Sequence, residues 1–257
     1  MCFPFFVWAT RVPVMKKRLD VILVERGLAV SRERARALIL AGNVVVDDHR
    51  IDKAGQQVDS QADIRLKSGD IPYVSRGGLK LAGALAAFKV QVQGCIALDV
   101  GASTGGFTDC LLQQGAARVY AVDVGYGQLA WSLRADPRVI NLERCNIRYL
   151  QPGDVAEVPA LAVIDASFIS LAKVLPNTLR LLSPEADIIA LIKPQFEVGK
   201  GQVGKGGIVK DVELHDQVVE RIRSLALDLG CRVLGVMESP ILGSKGNREF
   251  LIHLQKK

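Results

Sequence analysis

The 257-residue chain is poor in the features that announce a secreted, zinc-bound or membrane-embedded protein. Its five cysteines, Cys2, Cys95, Cys110, Cys145 and Cys231, are scattered singly, with no C-x-x-C pair and no histidine at metal-ligand spacing. That pattern points to a reducing cytoplasm and to no bound metal. Each thiol is expected to act as a small buried hydrophobe. A pore former needs long apolar helices or barrel strands that satisfy their own backbone in lipid. Here apolar segments of ordinary strand length are separated by charged turns, so no stable membrane association is expected. Residues 1 to 10 are apolar, but they lack the basic leader of a secretory signal and are too short to span a bilayer. Residues 1–14 are read as an extension, either from an upstream start codon or as a native N-terminal segment. No internal repeat or low-complexity tract interrupts the rest.

Nearly half of the residues are hydrophobic, enough for a sizeable core, and the net charge is +6. A modest basic excess favours a polyanionic partner such as nucleic acid. The length suits a small module beside a larger α/β domain. In the first part, Leu19, Ile22 and Leu23 recur at helical spacing before Gly27. Ser31 then stands as an N-cap before Arg32 to Leu40, and Gly42 marks the stop. Arg32 and Arg36 share one face of that second helix, while Ala35, Leu38 and Ile39 turn towards a core. Val44–Val46, Ile51 and Ile64–Leu66 read as short strands. This order resembles the small RNA-binding module shared by ribosomal small-subunit protein S-four and many pseudouridine synthases. The resemblance implies that Arg18, Arg32 and Arg36 meet RNA phosphates, contacts that position RNA without reading its sequence. The module is expected over 15–70, with a linker at 71–75.

From residue 76 onward strands and helices alternate, which calls for a mostly parallel sheet with helices on both faces. Ile96–Val100 is an apolar strand, Gly101 to Gly106 a flexible turn, and Phe107 opens a helix that ends at Gly115. The glycines match neither the G-x-G-x-x-G of dinucleotide enzymes nor a nucleotide-triphosphate loop. The form Leu-Asp-x-Gly-x-x-x-Gly-Gly-Phe is similar instead to the first motif of class I S-adenosylmethionine-dependent methyltransferases. Candidate cofactor contacts are therefore Gly101, Ser103, Thr104, Gly105, Gly106 and Phe107. Asp123 follows the next strand, 22 positions after Gly101, where an acid can accept from both ribose hydroxyls. Val124 lies beside it. Asn146 stands where such enzymes hold an adenine edge, or is simply a turn residue.

Four charged residues sit at the edges of these elements: Lys80, Asp165, Lys193 and Glu249. Groups at the carboxyl ends of parallel strands converge on one crevice. Asp165-Ala-Ser-Phe168 lacks the Pro-Pro of amino-methylating enzymes, and no cysteine follows a proline as a cytosine-5 nucleophile would. A hydroxyl acceptor remains, which requires deprotonation and in-line approach. Lys193 is the candidate base, Lys80 the neighbouring cation, and Asp165 and Glu249 the groups that hold them. The set resembles the catalytic tetrad of ribose 2′-O-methyltransferases of the heat-shock rRNA methyltransferase type. From about Lys16 to Gln255 the chain further resembles the TlyA family, also labelled haemolysin A. That resemblance rests on stretches such as Val74-Ser-Arg-Gly-Gly-Leu-Lys80 and Lys193-Pro-Gln-Phe-Glu-Val-Gly-Lys-Gly-Gln-Val203. It implies a class I methyltransferase fold, S-adenosyl-L-methionine as cofactor, and methyl transfer to a cytidine ribose 2′-hydroxyl in ribosomal RNA or ribosomal subunits. No obligate protein partner is inferred. The Gly199 to Gly207 loop offers Lys200 and Lys205 as further RNA contacts. The other functions to weigh are a membrane-active haemolysin and a non-catalytic ribosome-assembly factor. Some relatives carry Arg-x-Trp-Val where this chain has Ile71-Pro-Tyr-Val74, so any coupling of RNA docking to cofactor binding through that joint is expected to differ.

Overall fold

The computed structural model describes residues 15–66, 71–199 and 201–257. The chain forms two compact units that divide between Asp70 and Ile71. In the first, β1 (Lys16–Arg18) leads into α1 (Leu19–Glu25), followed by α2 (Arg32–Leu40), β2 (Val44–Val46), β3 (His49–Ile51), β4 (Gln57–Asp59) and β5 (Ile64–Leu66). Ser31 caps α2 by accepting from the Arg34 amide at 3.1 Å. Gly42, at φ +69°, takes the left-handed turn that ends the helix. β2 is flanked by β3 and β5 in an antiparallel trio, and β1 pairs with β4. Leu19, Leu23, Ala35, Ile39 and Val44 are fully buried and close the core of this unit. β1 and β4 were not foreseen, because three-residue strands of sequence Lys-Lys-Arg and Gln-Val-Asp carry no apolar alternation.

Asp20 is the unexpected centre of the small unit. Its side chain has no solvent exposure, yet it sits in the first turn of α1. Arg18 donates to both of its oxygens, at 2.9 and 2.8 Å, and the guanidinium groups of Arg32 and Arg36 approach to 3.4 and 3.8 Å. The Arg18 hydrogen bonds hold the Asp20 carboxyl down at about 2, against the opposing effect of burial, with Arg32 adding to the depression. A depressed carboxyl contributes stability above its unfolded value, near 4, and loses it as pH falls towards 2. Asp20→Asn should therefore flatten this acid-side loss and cost about 1–2 kcal/mol at neutral pH, discounted because the arginines are solvated. Hydrogen exchange of the α1 and α2 amides in the full chain reads both effects. A wild-type stability profile that does not change between pH 4 and 2 would count against it.

The second unit contains α3 (Gly77–Phe88), β6 (Ile96–Val100), α4 (Gly106–Gln113), β7 (Arg118–Val122), α5 (Trp131–Arg134) and β8 (Val139–Leu142). It continues with β9 (Leu161–Ile164), α6 (Leu171–Leu181), β10 (Asp187–Ile192), α7 (Pro194–Glu197), α8 (Val212–Asp228), β11 (Cys231–Glu238) and β12 (Phe250–Lys256). Its seven strands run in the order β11-β12-β10-β9-β6-β7-β8. β6 to β10 are mutually parallel, while β12 is antiparallel to both of its neighbours. The parallel strands are buried on both faces, hence their continuous apolar runs. One core joins α3 and α4 to the sheet, and the other joins α6 and α8. Strand order reverses between β6 and β9, which makes this the topological switch point where ligands bind in open α/β sheets. Residues 71–75, expected as a linker, lie within this unit, where Tyr73 and Val74 pack against the α3/α4 core. The Val74 amide donates to Asp109 at 2.8 Å, and Gln113 donates to the Pro72 carbonyl.

Candidate active site

Gly101 follows β6 and Asp165 follows β9, and the two strands are neighbours, so their carboxyl ends bring the glycine turn beside the carboxylate. The Asp165 amide donates to the Val100 carbonyl at 2.9 Å. Gly101 has φ +86°, and a Cβ there would lie 2.8 Å from the Asp165 carbonyl oxygen. Only glycine fits both the backbone angle and this approach. Below the turn, Asp99 on β6 is fully buried and accepts from Thr108 Oγ1 of α4 at 2.6 Å. Burial pushes its carboxyl up to about 7, against that hydrogen bond.

Two cavities meet at this point. The smaller, about 280 Å³, is lined by Ser75, Lys80, Asp165, Ser167, Lys193 and Glu249, among others. Lys80, in the first turn of α3, gives its ammonium to Glu249 Oε2 at 2.6 Å. Lys193, which follows β10, pairs with Asp165 Oδ1 at 2.5 Å and donates to Ser167 Oγ at 2.8 Å. Both lysines are only 8% exposed and Glu249 is 2% exposed, so the Lys80–Glu249 pair is shielded from water, whereas Asp165 keeps 21% exposure in the other pair. The four residues predicted from sequence thus line one pocket as two crossed ion pairs, each lysine matched to a carboxylate. Gly243 makes room for one of them, since a Cβ at that position would lie 2.0 Å from Glu249 Oε1.

The larger cavity, about 430 Å³, lies between the ends of β6, β7 and β9 and is lined by Gly101, Ser103, Asp123, Val124, Asn146 and Phe168, among others. Asp123 follows β7, and its carboxylate accepts from the Ser103 and Gly125 amides at 2.8 and 2.7 Å. Two amide donors fix the carboxylate and leave it lone pairs for a ligand. Asn146 Oδ1 accepts from the Arg148 amide at 3.1 Å, so it caps a turn and lines the cavity together. The expected glycine contacts divide. Thr104, Gly106 and Phe107 line the smaller cavity rather than this one. Gly105 lines neither, because it makes room for Leu133 and Leu129, 2.2 and 2.8 Å from where its Cβ would be. Asp165 and Ser167 border both cavities. Ser167 and Phe168 follow Asp165 in the quoted motif, yet nothing in the sequence gave them separate roles. Phe168 is 90% exposed at φ +62° and pairs with Phe196 at 4.9 Å between ring centroids.

The predicted RNA contacts fall in two places. Arg18, Arg32 and Arg36 gather at Asp20 in the small unit, with side chains 39%, 56% and 57% exposed. Lys205 is exposed on the glycine-rich loop, and Lys200 lies outside the described residues.

A family model for FtsJ-like methyltransferases matches residues 73–256, all but the ends of the second unit, which carries both cavities. The chain belongs to the FtsJ-like methyltransferase family. The S4 domain model matches residues 17–64, in the small unit. Among the relatives of this FtsJ-like chain, the Mycobacterium tuberculosis 16S/23S rRNA (cytidine-2′-O)-methyltransferase TlyA is 50% identical, over 93% of this chain and 90% of the relative. Hemolysin A of Brachyspira hyodysenteriae is 40% identical over 92% of this chain and 98% of its own. A solved Streptococcus thermophilus structure that carries the name hemolysin superposes with a TM-score of 0.75 at 46% identity, covering 95% of this chain and 90% of that one. Among the described residues of this FtsJ-like protein, no helix is long and apolar enough to cross a membrane.

Proposed function

We propose that this chain transfers a methyl group from S-adenosyl-L-methionine to a cytidine ribose 2′-hydroxyl of ribosomal RNA in the large subunit, the small subunit or both. The observation that carries the reading is the pair of lysine–carboxylate contacts built on two buried lysines, Lys80–Glu249 and Lys193–Asp165, at the switch point beside the glycine turn. The larger cavity fits the cofactor: Gly101 lets the turn lie against the Asp165 main chain at the cavity's edge, and Asp123 stands ready to accept ribose hydroxyls. When bound there, S-adenosylmethionine supplies an electrophilic methyl group on its sulfonium.

The protein's own residues then have distinct tasks. Lys193, once deprotonated, accepts the 2′-hydroxyl proton, with Asp165 and Ser167 fixing the direction of its nitrogen. Lys80, pinned by Glu249, remains an ammonium that stabilises the developing alkoxide in a site of low water content. The hydroxyl reaches both lysines from the smaller cavity. In the small unit Arg18, Arg32 and Arg36 contact phosphates through the donors that Asp20 leaves unused, and Lys205 adds a contact from the loop. The exposed Phe168, backed by the half-buried Phe196, offers a stacking surface beside the cofactor cavity.

The test is transfer of labelled methyl from S-adenosylmethionine to ribosomal subunits that lack the modification, followed by mapping of the product nucleotide. Label at a cytidine 2′-oxygen is the expected result. Cofactor binding without incorporation into either subunit or the intact ribosome would instead favour a non-catalytic assembly factor.

A further inference from the structure

Asn247 precedes Glu249 by two residues, is 3% exposed and lines neither cavity. Its side-chain amide is nonetheless fully engaged. Oδ1 accepts from the Val209 amide at 3.1 Å, and Nδ2 donates to the carbonyls of Gly207 and Ser244 at 3.0 and 3.1 Å. Its main chain closes the turn over Ser244–Gly246, accepting from the Gly243 amide at 2.8 Å and donating to the Ser244 carbonyl at 3.3 Å. One buried side chain therefore joins the glycine-rich loop that presents Lys205 to the turn that precedes Glu249. Val209 is gripped at both ends of its peptide, since its carbonyl accepts from His215 Nε2 at 2.9 Å.

That turn sets where the Glu249 carboxylate can lie. Gly243 closes one side, Lys80 Nζ binds Oε2 at 2.6 Å, and Gln195 Nε2 lies 3.5 Å from Oε1. A shift of the 243–247 turn would move Gly243 against or away from the carboxylate and pull Glu249 out of line with Lys80. We infer that Asn247 is a positioning residue, which ties the Lys205 loop to the Lys80–Glu249 pair and keeps that pair aligned. The inference rests on the proposed catalytic role of the pair.

The experiment compares wild type, Asn247→Ala, Asn247→Asp and Lys80→Met in the full chain. The 13C chemical shift of the Glu249 side-chain carboxyl is read at one fixed pH, together with S-adenosylmethionine affinity and methyl-transfer kinetics. In Asn247→Ala that carboxyl signal should move towards its position in Lys80→Met, where the hydrogen-bond donor at Oε2 is gone. The kcat should fall about 10–100-fold, as for an ångström-scale misplacement, with cofactor affinity and KM for RNA within about twofold of wild type. An unchanged Glu249 carboxyl signal overturns the inference, and so does an equal loss of kcat and cofactor affinity, which marks general collapse of the unit. If Asn247→Ala fails to fold, Asn247→Asp decides, since it keeps the acceptor for Val209 and loses both donors. A wild-type Glu249 carboxyl signal in that variant overturns the inference as well. If wild type methylates no ribosomal RNA, the proposed function falls while the carboxyl signal still tests the positioning.

Discussion

Replacing Lys193 with alanine is expected to lower methyl transfer by about 10²–10⁴-fold, the range of a positioned general base. Cofactor and RNA affinity should change little. Asp165, although it loses its partner at 2.5 Å, is 21% exposed and can be rehydrated, so the fold should survive. The cofactor cavity keeps Gly101, Ser103 and Asp123, and the arginines around Asp20 belong to the other unit. Lys193→Arg separates the two ways in which this residue could act. A guanidinium retains the charge beside Asp165 but does not give up its proton in a protein. A base that must be deprotonated predicts Lys193→Arg to be as inactive as Lys193→Ala, whereas a purely electrostatic role predicts substantial recovery. Single-turnover rates on ribosomal subunits, measured beside calorimetric affinities for S-adenosylhomocysteine, decide between them.

Gly101→Ala should have the second large effect, on both stability and cofactor affinity. The alanine would be forced to adopt φ +86° with its Cβ 2.8 Å from a backbone oxygen of Asp165. Neither contact can be relieved by rotating a side chain, because both partners are main chain at the ends of paired strands. The expected cost is about 1–3 kcal/mol of stability. At least a tenfold loss of S-adenosylhomocysteine affinity should follow as the turn shifts away from Asp165, since about 1.4 kcal/mol suffices for that factor. Gly94→Ala provides the control: it too has positive φ, at +74°, but nothing lies within 4 Å of its Cβ position. It should lose some stability and no affinity. Equal affinity losses in the two variants would show that the approach to Asp165 does not matter.

The parts of this architecture that could be read from sequence are those encoded locally. The strands β6, β7, β9 and β10 are continuous apolar runs, and each is followed by Gly101, Asp123, Asp165 or Lys193, so chain order and strand direction together place these residues along one edge. Pairing is a different matter. Lys80 and Glu249 are 169 positions apart, and no spacing rule says that Glu249 rather than Asp165 would hold Lys80. Asp20 escaped notice because one acid after Arg18 looks like an ordinary helix start, and its burial arises from arginines contributed by β1 and α2 together. Asn247 had no signal either, since its amide serves a loop 38 positions away. The glycines of the turn could be read as a set but not one by one. Gly101 admits Asp165, Gly105 admits leucines and Gly106 admits Ser75, so three chemically identical residues answer three different neighbours.

Gly101, Ser103, Asp165 and Ser167 line both cavities, so the two share one border. A single synthetic molecule could therefore cross that border, with a nucleoside head against Asp123 and a short thioether-linked arm reaching the two lysines. Such a two-headed inhibitor would engage both cavities at once. Its selectivity would come from the distance between Asp123 and Lys193 rather than from either pocket alone.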